Sequence, residues 1–493
     1  MAATRAKATK GSVQKAKAKT KAPRRPAIGD GLAALVLAAG KGTRMRSART
    51  KVLHAILGRP LVAYPVGLAR EMGADPIIPV LGHQRDAVEA ELSQRFGPGK
   101  LHVVEQTEQR GTGHAVQLAL PALGDFSGIV YIVYGDVPLL QRQTLVALVD
   151  RARQDGCLAI VTARPPDPTG YGRIVRDGRG NIVSVVEQKD ATSRQLKIGE
   201  VNAGIYAAPA DFLRAATAKL DTRNAQGELY LTDIVAHAAR SIGVAAIEAD
   251  AQDVTGINDR QQLAEAEAIM RARINRAWMA HVTLRDPGST VIEPDVKLEE
   301  DVELGRNVSL RGRTRVGAGT RIDDGVILTD TEVAAGVQIK PYCIATDAVI
   351  GPGAVIGPFA HMRPGTHLGP DVHLGNFVET KKTTIGRGSK ANHLTYLGDT
   401  TIGEKVNIGA GTITCNYNGY EKFQTVIEDN AFIGSDTQLV APVRIGKRAV
   451  IAAGTTVTGD VPAGALAISR APQLAKDGYA DKVAQRYSDR PKR

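Results

Sequence analysis

Between Ile433 and Val457 the chain reads IGSDTQLVAPVRIGKRAVIAAGTTV, with an aliphatic residue at every sixth position: Ile433, Leu439, Ile445, Ile451 and Val457. The same spacing separates Ile350 from Ile356 and Ile402 from Ile408, often with glycine following. A hexapeptide period predicts a parallel β-helix. Each short strand aims its aliphatic side chain into a narrow triangular core, and the small residue beside it lets the chain turn to the next face. Three hexapeptides make one coil of about 18 residues, so residues 290–470 predict roughly ten stacked coils. Coils hydrogen-bond to their neighbours and leave flat outer faces free to pack against other subunits. The period breaks at 416–425, NYNGYEKFQT, which reads as a loop ejected from a corner, where binding residues are often carried.

Toward the amino terminus, Asp286-Pro287-Gly288 interrupts the chain. Asn258 and Asp259 are placed to cap a helix running to about residue 281, with Leu263, Met270, Ile274 and Trp278 on one face. Before it, apolar runs at 32–39 (LAALVLAA), 76–81 (PIIPVL), 129–134 (IVYIVY) and 158–163 (LAIVTA) alternate with helix-length segments. That alternation predicts a mostly parallel, Rossmann-like α/β sheet with crossover connections. The stretches 182–187 and 201–208 read as further strands inserted late. The expected organisation is a disordered basic extension over 1–30 and an α/β domain over 31–257. A linker helix follows over 258–288, then the β-helix over 289–475 and a basic tail over 476–493.

Composition agrees with both folds. Aromatic residues make up 4% of 493, while glycine reaches 52, so small and β-branched residues must fill much of the interior. The net charge of +12 is concentrated: residues 1–29 hold nine Lys or Arg and no acid, and without them the body stands at about +3. This leader cannot bury a core and lacks the apolar segment of a secretory signal; its expected property is weak, non-specific attraction to polyanions, and its basic, acid-free composition leaves a transit peptide as the alternative, although such peptides favour Arg over Lys. Neither a recognition fold nor an interleaved aromatic pattern supports specific nucleic-acid binding. Cys157, Cys343 and Cys415 are far apart, odd in number and without metal spacing, so they read as reduced thiols of a cytoplasmic protein. No apolar run approaches the length of a membrane span.

Leu37-Ala38-Ala39-Gly40-Lys41-Gly42-Thr43-Arg44-Met45 sits where the first strand feeds a loop. Glycines there let backbone N–H groups approach a phosphate, and the cations neutralise it. Met45 stands where a dinucleotide fingerprint needs its third glycine, and the segment is not a P-loop. Asp136, after a buried strand, lies where α/β folds place ligands. LAAGKGTRM followed by Lys51, Gln106, Gly111-Thr112-Gly113 and Tyr134-Gly135-Asp136 resembles the sugar-phosphate nucleotidyltransferase family. Gly170-Tyr171-Gly172-Arg173, Val186-Glu187, Asn202-Ala203-Gly204 and Gly256-Ile257-Asn258 narrow the resemblance. They point to its bifunctional N-acetylglucosamine-1-phosphate uridyltransferases and glucosamine-1-phosphate acetyltransferases. The likeness runs from about residue 32 to residue 475.

The resemblance implies a sugar-phosphate oxygen attacking the α-phosphate of UTP, with pyrophosphate leaving. It assigns Arg44 and Lys51 to the developing phosphate charge, and Asp136 and Asn258 to Mg²⁺. Gln106, Gly111 and Thr112 would read the uracil, while Gly172, Glu187 and Asn202 would hold the sugar. Leu37, Ala38, Ala39, Gly40, Tyr134 and Gly135 complete the nucleotide site. One departure is Thr50, where the family has proline before the lysine; it predicts a less rigid Lys51 loop.

In the β-helix, His393-Leu394-Thr395-Tyr396 puts an imidazole beside a tyrosine, and acetyl transfer to an amine needs a base to take the ammonium proton. Arg363, Lys381 and Lys382 supply cations suited to a sugar phosphate. The resemblance implies a left-handed β-helix in which His393 is the general base. Arg363, Lys381, Tyr396 and Asn407 would bind glucosamine-1-phosphate; Ala410, Asn416, Tyr417, Ser435, Ala453 and Arg470 would bind acetyl-CoA. Glu379 is a candidate for orienting the amine or the base. It further implies a homotrimer whose acetyl-transfer sites form between subunits. The product would be UDP-N-acetylglucosamine, made by acetylation and then uridylylation, feeding peptidoglycan and lipopolysaccharide synthesis. The competing reading is a nucleotidyltransferase whose β-helix serves assembly or regulation alone; it has no use for His393, Lys381, Lys382 or the 416–425 loop.

Overall fold

The computed structural model describes residues 29–488. The disorder and polyanion attraction expected of the leader therefore fall almost wholly outside the described residues, as do the last five residues of the basic tail. Two compact units divide the chain, one reaching Asn258 and the other beginning at Asp259, except that Ala55–Pro60 belongs to the second.

The first unit is built on β1 (Leu32–Ala38), and the short hairpin of β2 (Ala55–Ile56) and β3 (Arg59–Pro60) is its excursion into the other. The sheet continues with β4 (Ile77–Leu81), β5 (Val104–Glu105), β6 (Ile129–Tyr134), β7 (Leu158–Ala163), β8 (Arg173–Arg176), β9 (Ile182–Val186), β10 (Val201–Pro209) and β11 (Val244–Glu248). Its order is β11-β7-β10-β6-β1-β4-β5, with β8 and β9 a hairpin beside β10. β1 runs parallel to β4 and β6, whereas β10 is antiparallel to β6 and β7, so the sheet is mostly parallel, as its apolar runs predict. β1 has no polar residue because both of its faces are covered: Ala34 and Val36 join one core, Ala33 and Leu35 the other. The parallel strands therefore end together at Ala38, Leu81 and Tyr134, which puts the following loops along one edge.

The second unit opens on the helix Arg260–Trp278, capped by Asp259, whose side chain accepts from the Gln262 N–H. The helix stops three residues before the expected 281. Ile274 and Trp278 pack on the β-helix core as their spacing predicts, and Asn275 is buried by donating to the carbonyls of Pro287 (2.8 Å) and Thr290 (2.9 Å). The hairpin β2–β3 is held here by Leu57 N donating to Glu267 (3.2 Å) and by the Arg59–Asp295 ion pair (2.7 Å).

From Thr283–Leu284 to Leu466–Ala467, 26 strands form one sheet; most are two or three residues long and pair in parallel with the third strand after them, while the 13-residue strands His373–Ile385 and Lys390–Ile402 pair directly with each other. Val291 lies opposite Ser309, Ile327 opposite Ile344, and Val426 opposite Thr401, so coils of 18 and 17 residues are joined by one of 25. The longest coil ejects the loop after Cys415, where the period breaks. Aliphatic residues such as Ile350, Ile356, Ile433 and Ile445 fill the interior at 0–1% exposure. The corners hold buried threonines whose hydroxyls satisfy carbonyls, as Thr383 does for Leu397 (2.7 Å).

Candidate functional sites

A cleft of about 340 Å³ lies at the carboxyl ends of β1 and β6, where open α/β sheets bind ligands. Leu37, Ala38, Ala39, Gly40, Lys51, Gln106, Gly111, Thr112, Tyr134 and Asp136, all nominated from sequence, line it together. The Gly-rich loop bends at Gly42 (φ 61°), where a side chain would collide with the Lys51 stem. The next turn, Thr43–Met45, buries Met45 and leaves Arg44 outward. Lys51 is fixed from below by buried Val52 and Leu53.

Lys51 Nζ donates to Asp136 Oδ2 at 2.5 Å and to Asn258 Oδ1 at 3.3 Å, and Arg44 donates to the same amide oxygen at 2.8 Å. Ile257 N donates to the Asp136 carbonyl (2.9 Å), so a backbone tether brings position 258 to position 136 across the fold. One ammonium thus already sits between a carboxylate and an amide oxygen. This is a hard-oxygen donor pair suited to a cation that keeps phosphates and waters as its other ligands.

The three residues nominated for the sugar form a second cluster. Asn202 N donates to the Gly172 carbonyl (2.9 Å), and the space beside Gly172 is bounded by Val185 and the Glu187 carboxylate. Glu187 accepts from the Thr232 hydroxyl (3.0 Å). Burial pushes its carboxyl above the usual range, against that bond and with help from Asp190 and Asp233. The Asn202 amide donates to the Tyr206 hydroxyl (2.7 Å) and accepts from Gly204 N (3.2 Å). Tyr134 joins the clusters: burial, with the charges of Glu187 and Asp136, holds its phenol neutral. Gln109, which donates to the Ala39 carbonyl (2.7 Å), and Glu228 also line the nucleotide cleft, and no motif in the sequence singled them out.

Thr50 adds a contact that the expectation of a less rigid loop left out. Its N–H, which proline lacks, donates to Gln84 Oε1 (2.8 Å), and Gln84 in turn donates to the Ala48 carbonyl (2.6 Å). A hydrogen-bonded clamp holds the loop where ring closure would otherwise do so.

In the β-helix, strand register stacks Glu379 on His361 and Tyr396 on Glu379, with Arg363 and Lys381 beside them on the same outer face. Gly398 leaves the space that the Tyr396 ring occupies. Arg363 donates to Glu379 (2.9 Å), so Glu379 is engaged with a cation rather than with the imidazole. Lys422, from the ejected loop, faces Lys381 and holds its ammonium below the usual lysine range; Arg363 adds to the effect and Asp399 opposes it. Lys422 escaped sequence reading because 41 residues separate it from Lys381 and only the loop's fold brings them together. Like charges gathered on one face are the electrostatic mark of an anion site.

Around the coil corner, Asn376 lies opposite His393, with Nδ1 of the ring 3.2 Å from the amide oxygen. An amide oxygen only accepts, so this contact is a hydrogen bond in the tautomer with its proton on Nδ1, the one that leaves the Nε2 lone pair open. Coil stacking continues this edge through Ala410, Ser435 and Ala453, and the Arg470 chain reaches Gly454. Asn416 donates to Asp399 (2.5 Å) at the root of the loop, and Tyr417 is exposed on it. Asn407 stands apart: it pairs with Lys390 and Phe432 on the face across the corner from Arg363, Lys381 and Tyr396.

A glycine-lined cleft at strand ends, followed by a hexapeptide β-helix with an imidazole and a cationic face, defines a nucleotidyltransferase joined to a hexapeptide transferase. Residues 34–197 match the MobA-like NTP transferase domain family, and residues 347–382 and 424–459 match the bacterial transferase hexapeptide (six repeats). The chain belongs to the family of the bifunctional protein GlmU. It is 48% identical over 463 residues to the one from Pelobacter propionicus, spanning 93% of this chain and 100% of the relative. It is 52% identical to that of Sorangium cellulosum (94% and 98%) and 50% identical to that of Geotalea uraniireducens (91% and 98%).

Proposed function

We infer that this chain acetylates glucosamine-1-phosphate with acetyl-CoA and transfers a uridylyl group from UTP to the N-acetylglucosamine-1-phosphate formed. The observation that carries the reading is the pairing of two separate sites on one chain. One is a glycine-lined cleft holding Lys51, Asp136 and Asn258 within hydrogen-bond reach. The other is a β-helix corner holding His393 with its Nδ1 3.2 Å from the Asn376 amide oxygen.

In the first site, Gln106, Gly111 and Thr112 receive the base, and Gly172, Glu187 and Asn202 the sugar. Arg44 and Lys51 neutralise phosphate charge as the sugar-phosphate oxygen attacks and pyrophosphate departs, a reaction governed by positioning and electrostatics. Asp136 and Asn258 would hold Mg²⁺, whose charge stabilises the triphosphate. In the second site, Arg363, Lys381 and Lys422 grip the phosphate of the aminosugar while Tyr396 and Asn407 orient the ring. His393 Nε2 takes a proton from the amine as its nitrogen attacks the thioester carbonyl; the C–S bond then breaks and the imidazole passes that proton to the leaving sulfur, so coenzyme A departs as the thiol. Ala410, Asn416, Tyr417, Ser435, Ala453 and Arg470 seat the acetyl donor along the coil edge.

The chain acts as a homotrimer in the cytoplasm. Tyr342, Phe359 and Phe377 support the assembly: they stack at one corner with ring centroids 5.4 and 5.3 Å apart and about half exposed. The position of Asn407 across a corner from Arg363 supports it too, since neighbouring copies complete a site that one copy divides. A sedimenting mass of three chains checks the assembly. No described helix is long and apolar enough to cross a membrane. We assign nucleotidyl transfer to residues 31–257, apart from the Ala55–Pro60 hairpin that belongs to the second unit, and acetyl transfer to 289–475. Product analysis with UTP, acetyl-CoA, Mg²⁺ and glucosamine-1-phosphate tests the whole reading: absence of coenzyme A release would leave only the first activity.

A further inference from the structure

A second cavity in the first unit, of about 810 Å³, opens at the far end of the sheet from the nucleotide cleft. Ser127, Gly156 and Ile242 line it, each two residues before β6, β7 or β11 begins, and so does Pro209, which ends antiparallel β10. The nucleotide cleft takes Ala38 and Tyr134, the last residues of β1 and β6. A full strand length, roughly 17–20 Å, therefore separates the two.

The cavity's chemistry is specific. Phe212, Ala215 and Ala216 of the helix Ala210–Thr217 give it an apolar wall, joined by Ile242. Its two acids are paired with cations that do not line it, Asp155 with Arg151 (3.3 Å) and Asp211 with Arg214 (2.9 Å). Arg153 donates to the Asp30 carbonyl (3.0 Å). The side chains of Lys219 and Arg240 make no ion pair or hydrogen bond among the described residues. Uncompensated positive charge over an apolar wall, in a volume suited to a small molecule, selects an organic anion with an apolar body.

One element connects this cavity to the sugar cluster. The helix Asp233–Ala239 packs on β9 and is flanked by Thr232, which bonds Glu187, and by Arg240, which lines the cavity. Its seven residues span roughly 10 Å. An anion bridging Arg240 to Lys219 draws one end of that helix toward the helix Ala210–Thr217 and strains the Thr232–Glu187 bond at the other.

We propose that this cavity is a regulatory site for a small organic anion, an apolar body bearing one anionic group, whose binding weakens the hold on the sugar phosphate. The regulatory effect rests on the reading that Glu187 holds that sugar. The probe is 8-anilinonaphthalene-1-sulfonate, titrated into the full chain by fluorescence while uridylyl transfer is followed by pyrophosphate release. Saturable binding that UTP does not displace is expected, with KM for N-acetylglucosamine-1-phosphate raised at least threefold and KM for UTP unchanged. Ala215→Trp, which fills the cavity, and the double variant Lys219→Ala/Arg240→Ala should keep probe-free uridylyl transfer and lose both the binding and the KM shift. Binding that persists in both variants, displacement by UTP, binding without a KM shift, or no saturable binding overturns the proposal. Absence of probe-free uridylyl transfer in the unmodified protein would instead refute the functional reading beneath it.

Discussion

Removing one oxygen atom, by Tyr206→Phe, tests how the sugar cluster is held. Tyr206 is 1% exposed and Asn202 8%, so neither exchanges freely with water. The Gly204 N–H can only donate, which fixes the Asn202 oxygen toward it (3.2 Å). The amide nitrogen then donates one hydrogen to the Tyr206 hydroxyl (2.7 Å), which leaves the other for the sugar proposed to bind there. Without the hydroxyl, a nearly buried N–H loses its acceptor, at a cost of roughly 1–3 kcal/mol. If the amide rotates to recover a partner, it surrenders the orientation that meets the sugar. A loss of about 1.4 kcal/mol in sugar binding is tenfold. Steady-state pyrophosphate release should therefore show KM for N-acetylglucosamine-1-phosphate rising about tenfold, with kcat and KM for UTP little changed. An unchanged sugar KM would refute the orienting role, and equal rises in both KM values would mean a general loosening of the unit.

Three further expectations concern separate parts of the chain. His393→Ala should lower acetyl transfer by about 10²–10⁴-fold, the usual worth of a general base, while leaving uridylyl transfer intact; Asp136→Ala should do the reverse, and loss of both activities in either folded variant would contradict independent sites. Thr50→Pro exchanges the N–H bond to Gln84 for a restrained unfolded chain at a φ of −58° that proline accepts, so melting should shift by less than about 1 kcal/mol equivalent, measured by calorimetry. Burial raises the Glu187 carboxyl in the folded protein, so its contribution to stability is fully present below the unfolded carboxyl pKa, about pH 4, and is lost as pH rises through the folded value. Glu187→Gln keeps an acceptor for Thr232 and removes that loss, so its melting advantage over the wild type should grow from about pH 4 to pH 7; a constant difference would show that burial does not govern this carboxyl.

Much of this was legible in the residues. The aliphatic period gave the β-helix because one inward side chain per face is the least that fills a triangular core. The apolar runs gave the central strands because a parallel strand covered on both faces has no polar position. What stayed hidden required contacts between distant segments. The Ala55–Pro60 hairpin reads locally as part of the α/β domain, and its membership of the second unit is decided by Glu267 and Asp295, more than 200 residues on. The aromatic corner Tyr342, Phe359 and Phe377 is invisible to a strict period because its members are 17 and then 18 residues apart. Lys422 and Tyr206 carry no motif; one reaches its place on an ejected loop, the other through a strand already explained by burial.

Both sites occupy places where repeated backbone pairing stops. In the sheet, hydrogen bonding ends at Ala38 and Tyr134, and the loops beyond are free to bring Lys51, Asp136 and Asn258 within one ammonium's reach. In the β-helix the core positions are spoken for by aliphatics and threonines, so chemistry is confined to outward residues. Those residues recur in register from coil to coil: Asn376 beside His393, then Ala410, Ser435 and Ala453. A side chain on such an edge can be replaced without disturbing the core beneath it. His393 is exposed and, among the described residues, its side chain's one hydrogen bond runs to half-buried Asn376, so its removal should cost activity and almost no stability. A His393→Ala protein melting several degrees below the wild type would show that this corner is structural, and the separation of scaffold from chemistry argued from the coil geometry would fail.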